Sequence, residues 1–198
     1  MNKIKQYQIN DLKKKIQQSV ELKLNLENLS VKIFKSIETI TKTIKNKKKI
    51  FFCGNGGSSA DAQHLAAEFL IRLRPNVNRK SLPALSLALD NSTMTACGND
   101  YKFDYIFSRP LEGLGNKGDT LVAISTSGNS KNIINALKTA KAKGIKTIGF
   151  LGNKGGKAKK YCDIDLIVPS SVTARIQECH IFLGHYILEE AENKLFHK

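Results

Sequence analysis

Leu121-Val122-Ala123-Ile124-Ser125-Thr126-Ser127-Gly128-Asn129-Ser130 is an apolar, β-favouring run that ends in a cluster of hydroxyls. Lys131-Asn132-Ile133-Ile134-Asn135-Ala136-Leu137 then takes up helical spacing, so the stretch reads as strand, polar loop, helix. Such a loop gathers Ser and Thr hydroxyls and unpaired backbone N–H groups at a helix N-terminus, where the macrodipole favours an anion. Two readings are open: a bound phosphate, or Ser and Asn side chains that cap the helix and bind nothing. The loop lacks both Gly-Lys-Ser/Thr and Gly-x-Gly-x-x-Gly, which gives nucleotide binding no support.

The same order of elements recurs along the chain. Lys49-Ile50-Phe51-Phe52-Cys53-Gly54 predicts a strand and Asn55-Gly56-Gly57-Ser58-Ser59 a polar loop, before a helix over 60–72 through Ala62, Leu65, Ala66, Phe69 and Leu70. Glycines there permit positive φ and close approach of backbone to a ligand, or serve only a tight turn. Residues 75–83 read as an exposed loop and 84–89 as a third strand. Asp90-Asn91-Ser92 signals a cap for a helix through Met94 to Cys97, with Gly98-Asn99-Asp100 as a polar turn just beyond it. Residues 103–114 predict a helix kinked at Pro110. Strands follow at 146–151 and within 162–169, and 173–196 predict a closing helix with Ile176, Cys179, Phe182, Leu183, Ile187 and Leu188 as its apolar positions. Alternating helices and continuously apolar strands imply an α/β fold, a three-layer doubly wound parallel sheet with ligands beyond the carboxyl ends of its strands. Both polar loops lie at such ends.

Ahead of this pattern, residues 4–47 repeat apolar side chains at threes and fours, from Leu12, Ile16, Val20, Leu22 and Leu26 to Ile33, Ile37, Ile40 and Ile44, with no Pro or Gly. They predict two helices, the second capped by Ser30, or one bent helix. An apolar stripe must be covered, so residues 1–47 are expected to form an oligomerisation arm and 48–198 the main domain.

With 198 residues and 41% hydrophobic content the chain suits one domain with an appendage. No apolar run approaches the roughly 20 residues that cross a bilayer, and the polar start lacks the apolar centre of a signal peptide, which predicts a cytoplasmic protein with no membrane partner. Cys53, Cys97, Cys162 and Cys179 include no C-x-x-C pair, which argues for reduced thiols. The formal charge of +15 invites a nucleic-acid reading. However, its lysines are spread along helices and not interleaved with aromatics, so a solvated basic surface and no nucleic-acid partner are expected.

His64 and Glu68 are four apart on one predicted helix and share a face, able to converge on one metal or substrate or to form a solvent-facing pair. The closing helix carries Arg175, Gln177, Glu178, His180 and His185. Gln177 and His185 lie about 12 Å apart along an unbroken helix, too far to share one small ion. Either the helix bends at Gly184, or the two reach one site from different subunits.

Taken together, Cys53-Gly54-Asn55-Gly56-Gly57-Ser58, Asp61-Ala62-Gln63-His64, Gly98-Asn99-Asp100, Ile124-Ser125-Thr126-Ser127-Gly128-Asn129-Ser130 and Ala174-Arg175-Ile176-Gln177-Glu178-x-His180 resemble the sugar isomerase (SIS) domain family. The similarity is greatest to its members that isomerise phosphorylated heptose. It implies the flavodoxin-like SIS fold, a homotetramer with active sites at subunit interfaces, and one zinc per subunit. By motif, His64, Glu68, Gln177 and His185 would be the metal ligands, and Ser125, Thr126, Ser127 and Ser130 the phosphate cradle. Asn55, Gly56, Gly57, Ser58, Glu68, Arg72, Asn99, Asp100 and Gln177 would be further substrate contacts. Ser59 and Ala60 depart from the His and Cys of similar chains.

The implied activity converts D-sedoheptulose 7-phosphate to D-glycero-D-manno-heptose 7-phosphate through an enediol, toward nucleotide-activated heptose for lipopolysaccharide or capsule. Such chemistry needs a base that takes and returns a proton and an acid for the carbonyl oxygen, roles the resemblance gives to Glu68 and His185. Their helices are expected to meet only on assembly. The competing reading is a non-catalytic SIS-domain protein that binds the DNA-replication initiator; Glu68 and His185, absent from that relative, favour the enzyme. A sugar-phosphate-sensing regulator would need a DNA-binding module that the sequence does not display.

Overall fold

The computed structural model describes residues 3–88 and 90–196. Its centre is a five-stranded sheet whose strands β1 (Ile50–Gly54), β2 (Ala84–Ser86), β3 (Thr120–Ser125), β4 (Lys146–Gly152) and β5 (Ile164–Val168) lie in the order β2-β1-β3-β4-β5. Every neighbouring pair is parallel, with Phe52 opposite Val122 and Val122 opposite Ile148. Successive side chains of a strand point to opposite faces, and both faces here are buried. Ile50, Phe52, Val122, Ile124, Ile148 and Phe150 share one core with α2 (Ser30–Lys45), α3 (Gly57–Leu70) and α7 (Thr173–Phe196). Phe51, Cys53, Leu121, Ala123 and Leu151 share the other with α4 (Asn91–Tyr101), α5 (Ser108–Leu114) and α6 (Lys131–Ala142). This is the three-layer doubly wound architecture expected.

The predicted arm divides at a 3-10 turn over Asn25–Leu29, between α1 (Lys3–Leu24) and α2. Ser30 does not cap α2: the cap position falls on Leu29 and Ser30 is the first helical residue. Ile33, Ile37 and Ile40 of α2 enter the core, whereas Leu12, Ile16, Val20 and Leu24 of α1 are exposed. α1 is anchored through charged residues of the closing helix. Arg175 Nη1 donates to the Lys15 carbonyl at 3.0 Å, and Ser19 Oγ to Glu178 Oε2 at 2.9 Å.

Local readings fail where a turn signal is overridden. The third strand ends at Ser86, and Leu89, included in the expected strand, lies outside the described residues. Gly98, Asn99 and Asp100 are not a turn beyond a helix but part of α4. Asp90 starts α4 as predicted, accepting the Thr93 N–H at 2.9 Å, but the positive φ that ends it falls at Lys102 (φ 89), not Gly98. Pro110 causes no kink, because it sits in the first turn of α5, where an N–H has no intrahelical partner to lose. The break comes earlier, where a separate 3-10 turn covers Phe103–Tyr105. Phe182, expected in the core, is exposed beside Tyr186. The loop over 75–83 is only partly exposed, since Leu82 and the side chain of Arg79 are buried.

All four cysteines are free thiols, and burial pushes the Cys162 thiol up to about 12, which suits inert, reduced side chains. Among the described residues no helix is long and apolar enough to cross a membrane.

Candidate active site

The strand order reverses between β1 and β3, the switch point where open α/β sheets leave a crevice at their carboxyl edge. The glycine loop after β1 and the Ser/Thr loop after β3 stand on either side of it. A reciprocal amide pair joins them: Asn55 Nδ2 donates to Asn132 Oδ1 at 2.9 Å, and Asn132 Nδ2 to Asn55 Oδ1 at 2.8 Å. Both groups of the Asn55 side chain are therefore engaged within the protein. Asn132, buried in the first turn of α6, escapes a sequence reading because nothing distinguishes it there from an ordinary helix-start residue.

The loops keep their shape by hydrogen bonds that leave part of each rim free. Ser125 Oγ accepts the Gly128 N–H and Ser127 Oγ the Asn129 N–H, both at 3.1 Å. Ser130 has the extended backbone of an N-cap, yet its hydroxyl makes no capping bond to α6. α3 likewise starts after Gly56, at φ 55, with no side-chain cap. In α6 the Ile133 N–H is taken by Asn132 Oδ1 at 2.9 Å, whereas the N–H groups of Lys131 and Asn132, and those of Gly57 and Ser58 in α3, have no side-chain acceptor among the described residues, the arrangement that suits an anion. Thr126 is half-buried beside them, and Ser58 is buried in the first turn of α3.

α3 and α7 run side by side in the same direction, and glycines set how closely. A Cβ on Gly184 would lie 2.5 Å from Leu65 Cδ1, so α7 rests against α3 at this point. α7 is unbroken from Thr173 to Phe196: Gly184 serves close approach, not a bend. At the other end the Gln177 amide occupies the space over Gly57, where a Cβ would meet Nε2 at 2.1 Å.

Where the helices touch, His64, Glu68 and His185 converge with their ligand atoms within 4.8 Å of one another. His64 Nε2 lies 2.8 Å from His185 Nε2 and 3.4 Å from Glu68 Oε1, while Glu68 Oε2 is buried with no partner among the described residues. These side chains meet within one chain, which corrects the expectation that their helices come together only on assembly. Burial first, and then the neighbouring His64, lower the His185 imidazole below its usual range against the pull of Glu68 and Glu189. Near neutral pH it is uncharged, with a lone pair to offer. Two facing ring nitrogens and a carboxylate with a spare oxygen fit an open, three-ligand metal site.

The other expected site residues are placed less centrally. Gln177 lies about two turns before His185 on the straight α7, and its amide faces Gly57. Arg72 is exposed just beyond the end of α3. Asn99 and Asp100 are exposed at the far end of α4, where Asn99 Nδ2 donates to Asp100 Oδ1 at 2.9 Å. His180 is fully buried against Phe150 and burial lowers it to about 4, which removes it from the rim. One turn before His64, burial pushes the Asp61 carboxyl up to about 6, against the pull of that histidine.

The SIS domain profile matches residues 15–152, more than half of the chain. The chain belongs to the SIS domain family. Within that family it is 51% identical to the phosphoheptose isomerase of Clostridium acetobutylicum over 160 residues, which cover 81% of each chain. Among solved structures it superposes on phosphoheptose isomerase from Neisseria gonorrhoeae with a TM-score of 0.86 at 39% identity, covering 93% of this chain and 98% of that one. The Francisella tularensis phosphoheptose isomerase gives a TM-score of 0.89 at 32% identity, covering 94% and 98%. Both solved structures align with more than nine-tenths of this chain.

Proposed function

We propose that this chain is an aldose–ketose isomerase that converts D-sedoheptulose 7-phosphate to D-glycero-D-manno-heptose 7-phosphate in the cytoplasm. The observation that carries the proposal is the meeting of His64 and Glu68, on the helix that the glycine loop opens, with His185 of α7. The likeness to phosphoheptose isomerases over most of the chain supports the choice of a heptose phosphate.

Each oxygen of Glu68 has its own use. Oε1, beside His64, faces the metal set, and the unpartnered Oε2 takes a proton from C1 of the ketose and returns it at C2. His185 relays the hydroxyl proton from O1 to O2, so that the carbonyl moves from C2 to C1 with no net gain or loss of protons. His64, Glu68 and His185 would hold a zinc ion, which when bound polarises the sugar carbonyl and favours the enediolate charge. Ser125, Thr126, Ser127 and Ser130, with the first N–H groups of α6, receive the 7-phosphate. Gly56, Gly57 and Ser58 line the sugar between that loop and the trio.

The exposed Asn99, Asp100 and Arg72 contact sugar only if a second copy covers the crevice, and Gln177 reaches the metal only in a neighbouring copy's site. That supports a homotetramer with interface sites, in which residues 1–47 act as the oligomerisation arm through the exposed stripe of α1.

Purified protein incubated with sedoheptulose 7-phosphate is expected to yield the aldose, to lose that activity on chelation and to regain it with zinc. Absence of product with metal restored would favour the initiator-binding reading. Ser130→Ala separates phosphate binding from capping. Without a capping bond to lose, its stability should change by less than about 0.5 kcal/mol, while loss of a charge-assisted phosphate contact should raise KM about tenfold or more. Unchanged KM with a clear loss of thermal stability would assign Ser130 to the helix alone.

A further inference from the structure

The segment between α3 and β2 reads as an exposed loop, yet the side chain of Arg79 within it is only 1% exposed. Its Nε donates to Oε2 of Glu192, a fully buried carboxylate on α7. Its Nη2 donates to the main-chain carbonyl of Glu68 at 2.9 Å and its Nη1 to that of Lys80 at 3.1 Å. The guanidinium lies over the Phe69 ring, 5.7 Å from the centroid. The other oxygen of Glu192 receives Arg74 Nε at 2.9 Å.

α3 ends at Leu70, so the Glu68 carbonyl is among the last four of the helix, which have no intrahelical donor. A guanidinium there satisfies an orphan acceptor and faces the negative end of the helix dipole. Glu192, its other partner, lies about two turns beyond His185 on the same helix. A buried ion pair is by itself a weak stabilising device, because desolvation offsets most of the attraction. What this pair does add is a fixed distance between the backbone of Glu68 and α7.

We infer that Arg79, oriented by Glu192, is a positioning residue for the isomerisation. It holds the Glu68 backbone to the helix that carries His185, and so sets the Glu68 carboxylate against both histidines. The inference rests on the isomerase reading above for its kinetic consequence, but not for its effect on metal binding.

The test is the double variant Arg79→Met with Glu192→Gln. It removes both charges together, avoiding a lone buried ion, and leaves an amide oxygen for Arg74. Thermal stability, kcat, KM and zinc affinity by competition with a chromophoric chelator are measured on the full chain. The expected result is a folded protein with KM unchanged, and with kcat and zinc affinity each lowered about tenfold or more. Arg79→Lys, which keeps the charge but not the fork to two acceptors, should show a smaller loss of the same kind, and it decides the matter should the double variant not fold. A folded variant with wild-type kcat and wild-type zinc affinity overturns the inference. Should the wild-type protein not isomerise the heptose, the functional reading falls and zinc affinity alone decides, a tenfold weakening upholding the role of Arg79 and no change refuting it.

Discussion

Glu68→Gln is expected to fold as the wild type does and to lose isomerase activity by about 10²–10⁴-fold, the span a positioned general base contributes. Glutamine keeps the size and shape of the side chain, and its amide oxygen can still face His64 and a metal. What disappears is the basic Oε2, the buried oxygen with no partner among the described residues. Stability should move by no more than about 1 kcal/mol, since no bond made by Oε2 is broken. Two measurements separate chemistry from binding. Formation of the aldose should fall while KM for the sugar phosphate stays near its wild-type value, and exchange of the C1 proton with deuterated water should cease in the variant. Substantial turnover or continued exchange would move the proton transfer to another group and end the assignment.

Gly184→Ala should damage stability and activity together, although residue 184 contributes no functional group. Its Cβ would lie 2.5 Å from Leu65 Cδ1, 2.6 Å from Cδ2 and 3.1 Å from Cγ, so no single methyl can turn aside to clear it, and Leu65 is fully buried. Overpacking of this kind costs about 1–3 kcal/mol, or about 2–4 °C of Tm per kcal/mol in a chain of this size. To relieve it α3 and α7 must part by something near an ångström. His64 and Glu68 ride on one helix and His185 on the other, next to the substitution. A misplacement of about 1 Å can cost 10²-fold in rate, so kcat should fall far more than the stability loss alone explains. Adding Leu65→Ala should restore much of kcat by making room, a strong non-additivity that two independent sites would not show. Additive losses in the double variant would mean that the spacing of these helices does not govern the site.

The legible parts of the fold are those written in short stretches. The apolar runs ending at Gly54 and Ser125 mark two strands by composition, and the polar residues after them mark the rim where a ligand binds. His64 and Glu68 are visible as a pair because helical spacing alone brings them to one face. Asp90 is visible as a cap because its carboxylate reaches an N–H three residues on. The misreadings have equally local causes. Gly98 and Pro110 carry strong stop signals, but a glycine without positive φ does not end a helix, and a proline in a first turn does not bend one.

By itself, then, the order of residues determined a parallel α/β sheet, the edge at which it is open, and the chemical types gathered there, because periodicity, capping and turn preference act over a few residues. Which of those groups meet was decided by tertiary packing. His64 and His185 are 121 residues apart in the chain and 2.8 Å apart in the fold, and Arg79 reaches Glu192 across 113 residues. No local pattern encodes such distances. They follow from a glycine that lets two helices touch and from a buried carboxylate that must find its cations, and both are properties of the assembled core.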